Sequence, residues 1–338
     1  MTLRTRAVLL ALICVLALGG ALAYLVMSRN DQKTIEGRAA ASVALSPLAA
    51  VEAHPRIVFR NLAPGASSGT LAMVPLDDPA GPRALTSTPC ERVYATPKNM
   101  ICLSADRGFI TTYGAHILDN TMQQTQTLPF IGIPSRARLS RDGSYAATTS
   151  FTASDSYGSV SFSTRTYITA VGGQTLGNLE DFTLIHDGKS IDPADRNYWG
   201  VTFAADDDTF YATVRWSNHT WLVRGSMADR TMVTLHEDAE CPSLSPDEKN
   251  IVYKQQGNLP RGTWRLVDYN LASGTVTPLA ERRSVDDQVE WLDNRHVLYA
   301  LPHQGAHSDI EDVWSVPITG TGTPRLLIPD ASSPAVVR

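Results

Sequence analysis

At 338 residues the chain has room for two average domains or for one large all-β unit, so length alone does not fix the architecture. Its formal charge of −5 grows more negative beyond the first 38 residues, which hold five Lys or Arg and two Asp or Glu and leave 24 basic and 32 acidic side chains after them. A net of about −8 with no basic face argues against a nucleic-acid partner, because phosphate contacts need clustered cations.

The first element is the run "AVLLALICVLALGGALAYLVM", Ala7 to Met27, twenty-one residues without a charge or an amide. That is long enough for a helix to cross a bilayer core. Arg4 and Arg6 precede it, so the positive-inside tendency predicts residues 1–6 in the cytoplasm, residues 7–27 as a single-pass anchor, and the rest outside the cytoplasm. A cleaved signal peptide is the alternative, with "ALA" at Ala21 to Ala23 offering small residues for a peptidase. Against it, Tyr24 to Met27 continue the apolar run. The bulky Leu12 and Ile13 before Cys14 argue against a lipid anchor there. Residues 28–53 are small, polar and Ala-rich and read as a linker.

From His54 to Arg338 the apolar residues come in runs of four to six, rich in Val, Ile, Thr, Tyr, Phe and Trp and separated by Gly, Pro, Asp and Asn. Almost nowhere does a 3.6-residue period last three turns, so residues 54–338 are predicted as all-β. Cys90 and Cys102 bracket a strand, a Thr-Pro-Lys-Asn turn and a second strand, a geometry that sets them side by side for a disulfide in an oxidising compartment. Cys241 is left over and reads as a buried small side chain.

The same strand-turn-strand unit recurs five times, in "ERVYATPKNMICLS", "RARLSRDGSYAATT", "GVTFAADDDTFYATV", "PSLSPDEKNIVYK" and "VEWLDNRHVLYAL". Its turns begin at Thr96, Ser140, Ala204, Ser245 and Leu292, in steps of 44, 64, 41 and 47 residues. One four-stranded propeller blade takes roughly 40 to 50 residues. The long step holds two stretches that read as loop insertions, Thr152 to Ser161 and His186 to Asn197. The N-terminal "RIVFRN", "TLAMVPL" and "PRALT" supply three strands without a leading one, and the final "SPAVVR" supplies it. The expectation is a six-bladed β-propeller closed by strands from both ends of the sequence.

The Ser-Pro-Asp and Ser-Arg-Asp-Gly turns at Ser245 to Asp247 and Ser140 to Gly143 resemble the repeats of TolB-type six-bladed propellers. Over His54 to Arg338 the chain is similar to the membrane-anchored bacterial proteins called TolB-like. TolB proper carries an α/β domain before its propeller, where this chain has a linker and an apolar segment. The resemblance therefore implies the fold, and not TolB's partnership with the peptidoglycan-associated lipoprotein.

Motifs with chemical content are few. "GASSG" at Gly65 to Gly69 matches G-x-S-x-G but lies between two strands, where a nucleophile elbow needs a strand before and a helix after. "DGKS" at Asp187 to Ser190 lacks the first glycine of a phosphate loop, with Thr183 in its place. His303 and His307, with Asp309, Glu311 and Asp312, have metal-like ingredients, but Gly305 argues against the helix that would align the two imidazoles, and no metal or cofactor is assigned. Asp206 to Asp208 read as a turn rather than a calcium loop.

A propeller offers a central funnel instead, and the predicted inner strands point Arg136, Arg138, Trp199, Glu240 and Glu290 toward it as candidate ligand or partner contacts. Mutual Arg–Glu pairing between blades and packing of Trp199 are the structural alternatives. The resulting expectation is a non-catalytic binding or scaffold module for a protein or ligand of the cell envelope, anchored in the cell membrane. An enzyme with its site in the funnel, a hydrolase or lyase, is the alternative, and it needs a nucleophile, metal or acid/base pair that the sequence does not mark.

Overall fold

Turn chemistry sets the architecture. At Ser245 the hydroxyl donates to Asp247 Oδ1 (2.8 Å) and accepts from the backbone N–H of Asn250 (3.0 Å), so the side chains that start the turn also satisfy its backbone. Ser140 does the same with Asp142 and Tyr145. Asp206 and Asp293 accept from the backbone N–H groups of their turns, and Thr96 from those of Lys98 and Asn99. Each reverses the chain between two strands that pair antiparallel.

The computed structural model describes residues 44–152, 163–304 and 309–338, with helical positions at Thr5, Arg6, Leu12, Ile13, Val15, Gly19 and Gly20 before them. Among the described residues no helix is long and apolar enough to cross a membrane. The anchor expected over 7–27 and the linker up to residue 43 fall, apart from those positions, outside the described residues, as does most of the insertion expected at Thr152 to Ser161.

Six sheets form the ring. Blade I joins β26 (Ala331–Val337) to β1 (Arg56–Asn61), β2 (Thr70–Pro75) and β3 (Ala84–Pro89). Blade II holds β4 (Arg92–Ala95) to β7 (Gln124–Leu128), and blade III β8 (Ile133–Leu139) to β11 (Thr175–Asn178). Blade IV runs from β14 (Asn197–Phe203) to β17 (Thr231–Glu237), blade V from β18 (Glu240–Leu244) to β21 (Val276–Pro278), and blade VI from β22 (Glu290–Trp291) to β25 (Arg325–Ile328). The five expected turns all fall between the first and second strands of blades II to VI. The terminal closure is also as expected: Val58 pairs with Ala335 and Ile57 with Val336, although β26 begins two residues before "SPAVVR".

Blade IV departs from the sequence reading. His186 to Asn197 is not all loop, because β12 (Thr183–His186) and β13 (Lys189–Ile191) form a hairpin that extends the blade, β12 lying parallel to β17. Asp187 (φ 49°) and Gly188 (φ 73°) make its two-residue turn, which needs positive φ at both positions and so favours Asp-Gly. His186 packs its ring against Trp216 and Trp221, which stack at 5.4 Å.

The end of the presumed linker is also structured. Helix α1 (Leu48–Glu52) sinks Val51 into the core between blades I and II, and Ala44 and Ser46 bond to Arg83 on blade I. The expected disulfide is present, with Cys90 and Cys102 Cα atoms 5.6 Å apart in that same core. Cys241 is free and buried, as expected.

Four inner strands share one irregularity. The register shifts in β8 between Pro134 and Arg136, in β14 between Trp199 and Thr202, in β18 between Glu240 and Ser243, and opposite β26 between Val58 and Arg60. Gly200, Cys241 and Ser333 take positive φ there. A bulge bends the strand and re-aims its side chains. At Gly200 a Cβ would stand 2.7 Å from the Cys241 Cα, so glycine is needed where the two bulges meet.

Candidate functional site

The inner strands β26, β4, β8, β14, β18 and β22 surround the axis, and a cavity of about 300 Å³ opens where all six end, on the face of the short hairpin turns. Tyr94, Phe203, Leu244 and Trp291 give it apolar walls, and Arg138, Arg141 and Arg338 give it three cationic groups. Arg138 also borders a gap of about 20 Å³ further along the axis, room for about one water molecule.

Between these spaces the channel is tied across. Arg138 Nη1 lies 2.7 Å from Glu290 Oε2, joining blades III and VI from opposite sides of the ring, with the two side chains 6% and 8% exposed. Arg138 Nη2 donates to the carbonyl of Val289 (3.0 Å), and its guanidinium stacks 4.5 Å from the Tyr94 ring centre. The Nε of Arg138 is buried and makes no hydrogen bond. Burial pushes the Glu290 carboxyl up, with Arg138 and the N–H of Val336 opposing. Burial, then the charge of Glu290, raises Tyr94 to about 12. Gln288 donates to the carbonyls of Val201 and Pro242, and the Trp291 indole to that of Ser243, so blades IV, V and VI are pinned together at the same level.

Toward the opposite face, Arg136 Nη2 bonds to the carbonyl of Asp286 (3.2 Å) and lies 3.7 Å from its carboxylate. Lys254 Nζ sits 2.5 Å from the same carboxylate, 3.9 Å from Glu240 and 4.2 Å above the Trp264 ring. Burial alone would lower Arg136 and Lys254, but Cys241 and the neighbouring carboxylates offset it and hold both above their ordinary values. Burial likewise works against the Asp286 carboxylate, and Lys254 and Arg136 bring it below the usual range. Trp264 Nε1 donates to Glu240 (2.8 Å). Trp199, Trp264 and Glu240 then share a wider cavity of about 590 Å³ between blades IV and V.

The five sequence candidates thus occupy three places. Arg138 and Glu290 meet at the waist, Arg136 stands one layer toward the loop face, and Trp199 and Glu240 line the outer cavity. Tyr94, Arg141, Lys254, Asp286 and Arg338 were missed. Lys254 left one signal, a lone cation inside the apolar "IVYKQ". Tyr94 left none, since an aromatic residue in a strand is ordinary core.

Away from the channel, His303 Nε2 lies 2.9 Å from Asp312 Oδ1 and 4.0 Å from Asp330 Oδ1. Of the residues the sequence grouped around His303, Asp312 is beside it, His307 lies outside the described residues, and Asp330 was not anticipated. "GASSG" connects β1 and β2 as a loop, and "DGKS" is the β12–β13 hairpin.

No protein-family model matches the chain, and no curated sequence does. Among solved structures, TolB from Acinetobacter baumannii is similar over 84% of this chain at 16% identity and a TM-score of 0.59, and the chain spans 66% of that protein. A putative TolB from Agrobacterium tumefaciens matches over 83% of this chain and 91% of its own at 11% identity and a TM-score of 0.48. The acylaminoacyl peptidase of Pyrococcus horikoshii matches over 77% of this chain and 41% of its own at 11% identity and 0.46. With six blades, inner strands around one axis and the likeness to the A. baumannii protein, the chain is in fold a TolB-like six-bladed β-propeller.

Proposed function

We propose that the chain is a non-catalytic binding module displayed on the extracytoplasmic side of a membrane, and that its hairpin-face cavity receives an acidic segment of a cell-envelope protein. One observation carries this reading: Arg138, Arg141 and Arg338 line one preformed mouth, the only side-chain carboxylate among its lining residues, Glu290, is already bound to Arg138, and Arg141 has only the rim carboxylate of Glu248, 3.7 Å away. The cavity therefore presents guanidinium groups over apolar walls, which suits a carboxylate on an extended segment. Ties from blade to blade make the floor rigid, which lowers the ordering cost of binding. The disulfide favours an oxidising compartment, and the apolar run at Ala7 to Met27 favours anchoring.

A photo-crosslinking residue in living cells tests it, placed at Pro97 on the mouth or at Lys189 on the outermost strand of blade IV. Adducts are expected at Pro97 and not at Lys189, and they should vanish when Arg141→Glu and Arg338→Glu are combined. Equal adducts at both positions, or adducts indifferent to charge reversal, overturn the reading.

A further inference from the structure

We propose that His303, Asp312 and Asp330 form a binding site for one divalent transition-metal ion of the Zn²⁺ or Mn²⁺ class, apart from the channel. The three residues come from separate segments: His303 follows β23 (His296–Pro302), Asp312 lies on β24 (Glu311–Pro317), and Asp330 occupies the turn between β25 and β26. Each offers one ligand atom, and these atoms lie within 4.8 Å of one another. Donors bound at about 2.1 Å to one ion stand roughly 3 to 3.4 Å apart, so the observed 2.9 and 4.0 Å from the imidazole, with all three atoms within 4.8 Å of one another, require shifts of at most about 1.5 Å.

The backbone already holds the group in place. His303 N–H donates to the carbonyl of Ile310 (2.8 Å), and Asp330 N–H to Asp312 Oδ1 (2.8 Å). Among the described residues the Asp330 carboxylate receives no hydrogen bond. Arg83, whose guanidinium feels the Asp330 charge, instead directs its N–H groups to Asn61 Oδ1 and to the carbonyls of Pro329 and Asp330. Two carboxylates facing one imidazole thus have, among the described residues, no cation bonded directly to them, a place that a divalent ion can take.

The donor set also selects the ion. One imidazole nitrogen with two carboxylate oxygens suits Zn²⁺ or Mn²⁺, whereas Ca²⁺ and Mg²⁺ favour oxygen alone. The three side chains are 32%, 16% and 24% exposed, so an ion can reach them and keep positions for water. His303 and Asp312 also border a cavity of about 600 Å³, with Arg283 and Trp314 on its wall. Occupancy would join the β23–β24 connection to the turn that leads into β26, the strand that closes the ring.

The test uses the full, untagged chain, extracted in detergent, stripped with EDTA and titrated with Zn²⁺, Mn²⁺, Ca²⁺ or Mg²⁺ by calorimetry and thermal melting. One equivalent of Zn²⁺ or Mn²⁺ should bind, and a hundredfold excess over Kd should raise the midpoint by about 5 °C. Asp330→Asn and His303→Gln should each weaken binding at least tenfold while melting like the parent in EDTA. No saturable binding of either ion overturns the site, as does a preference for Ca²⁺ or Mg²⁺. Binding undiminished in either variant also overturns it, since the ion would then sit elsewhere.

Discussion

At the channel waist Arg138 finds Glu290 at a sequence separation of 152, while at the rim Ser140 closes its hydrogen bond on Asp142 two residues away. Both belong to blade III, and both are built of polar groups. The rim turn contains its own partners and can form as soon as its strands do. The waist exists only when the ring is complete, because each of its charges lies on a different blade from its partner. Damage at the waist should therefore be global and costly, and damage in locally closed structure modest.

The largest effect is expected from ending the chain at Ser333. This removes Ala335 and Val337 from the core, strips the pairing of β26 with Arg56, Ile57 and Val58, and deletes the Val336 N–H that Glu290 accepts. The inner edge of β1 is left open along Arg56 to Val58. The protein should aggregate or melt far below the parent; melting like the parent would break the link between closure and waist.

Next comes Arg138→Met, which leaves Glu290 buried and unpaired and should cost about 3 to 5 kcal/mol in denaturant unfolding. The double change Arg138→Met with Glu290→Leu should recover most of that loss. A single-variant cost below about 1 kcal/mol would show that the pair is as replaceable as a surface contact.

Cys90→Ser tests the local side of the comparison. Its partner is only 12 residues away, and the chain-entropy model assigns such a loop about 2 to 3 kcal/mol. The variant should fold and melt lower. Free alkylation of both thiols in the non-reduced, denatured protein would remove the bridge from consideration.

The smallest effect is expected at Asp268, near the rim, where burial and then Asp247 raise the carboxyl to about 6 and Oδ1 is buried without a hydrogen bond. A carboxyl raised in the folded state favours folding below its unfolded value of about 4, and that contribution is lost as pH rises through about 6. Asp268→Asn should therefore be stabilising by about 1 to 2 kcal/mol at pH 7.5 and close to neutral at pH 4. A pH-independent difference between parent and variant would reject the assignment.

The comparison also explains what the sequence could disclose. Turns at Thr96, Ser140, Ala204, Ser245 and Leu292 were legible because Ser, Thr, Asp and Asn act on backbone groups a few residues away. The Cys90–Cys102 pair was legible for the same reason. Arg138 and Glu290 could be nominated as funnel residues, but their pairing depends on which blades stand opposite each other. The repeated bulges carry no residue signature, with Gly200, Cys241 and Ser333 at comparable places, so the layer occupied by Arg136 could not be read. Lys254 is held by Asp286 from the connection between blades V and VI, and Asp330 reaches His303 only through the turn after β25. The β12–β13 hairpin was hidden because Asp-Gly marks a turn equally well in a loop and in a short hairpin.

The pairing of Val58 with Ala335 also bears on the order of events during folding. Blades II to VI can each form from contiguous chain, whereas blade I must wait until the segment from Ala331 to Val337 is available, and it then joins residues from opposite ends of the sequence. Such long-range closure is slow, since the entropy of the whole intervening loop is lost before the contact forms. Until that moment β1 and β4 lack a neighbour on the axis, and the cationic mouth lacks the wall that holds Arg338. A newly made chain would therefore pass through an open array of blades, in which that mouth is not yet assembled.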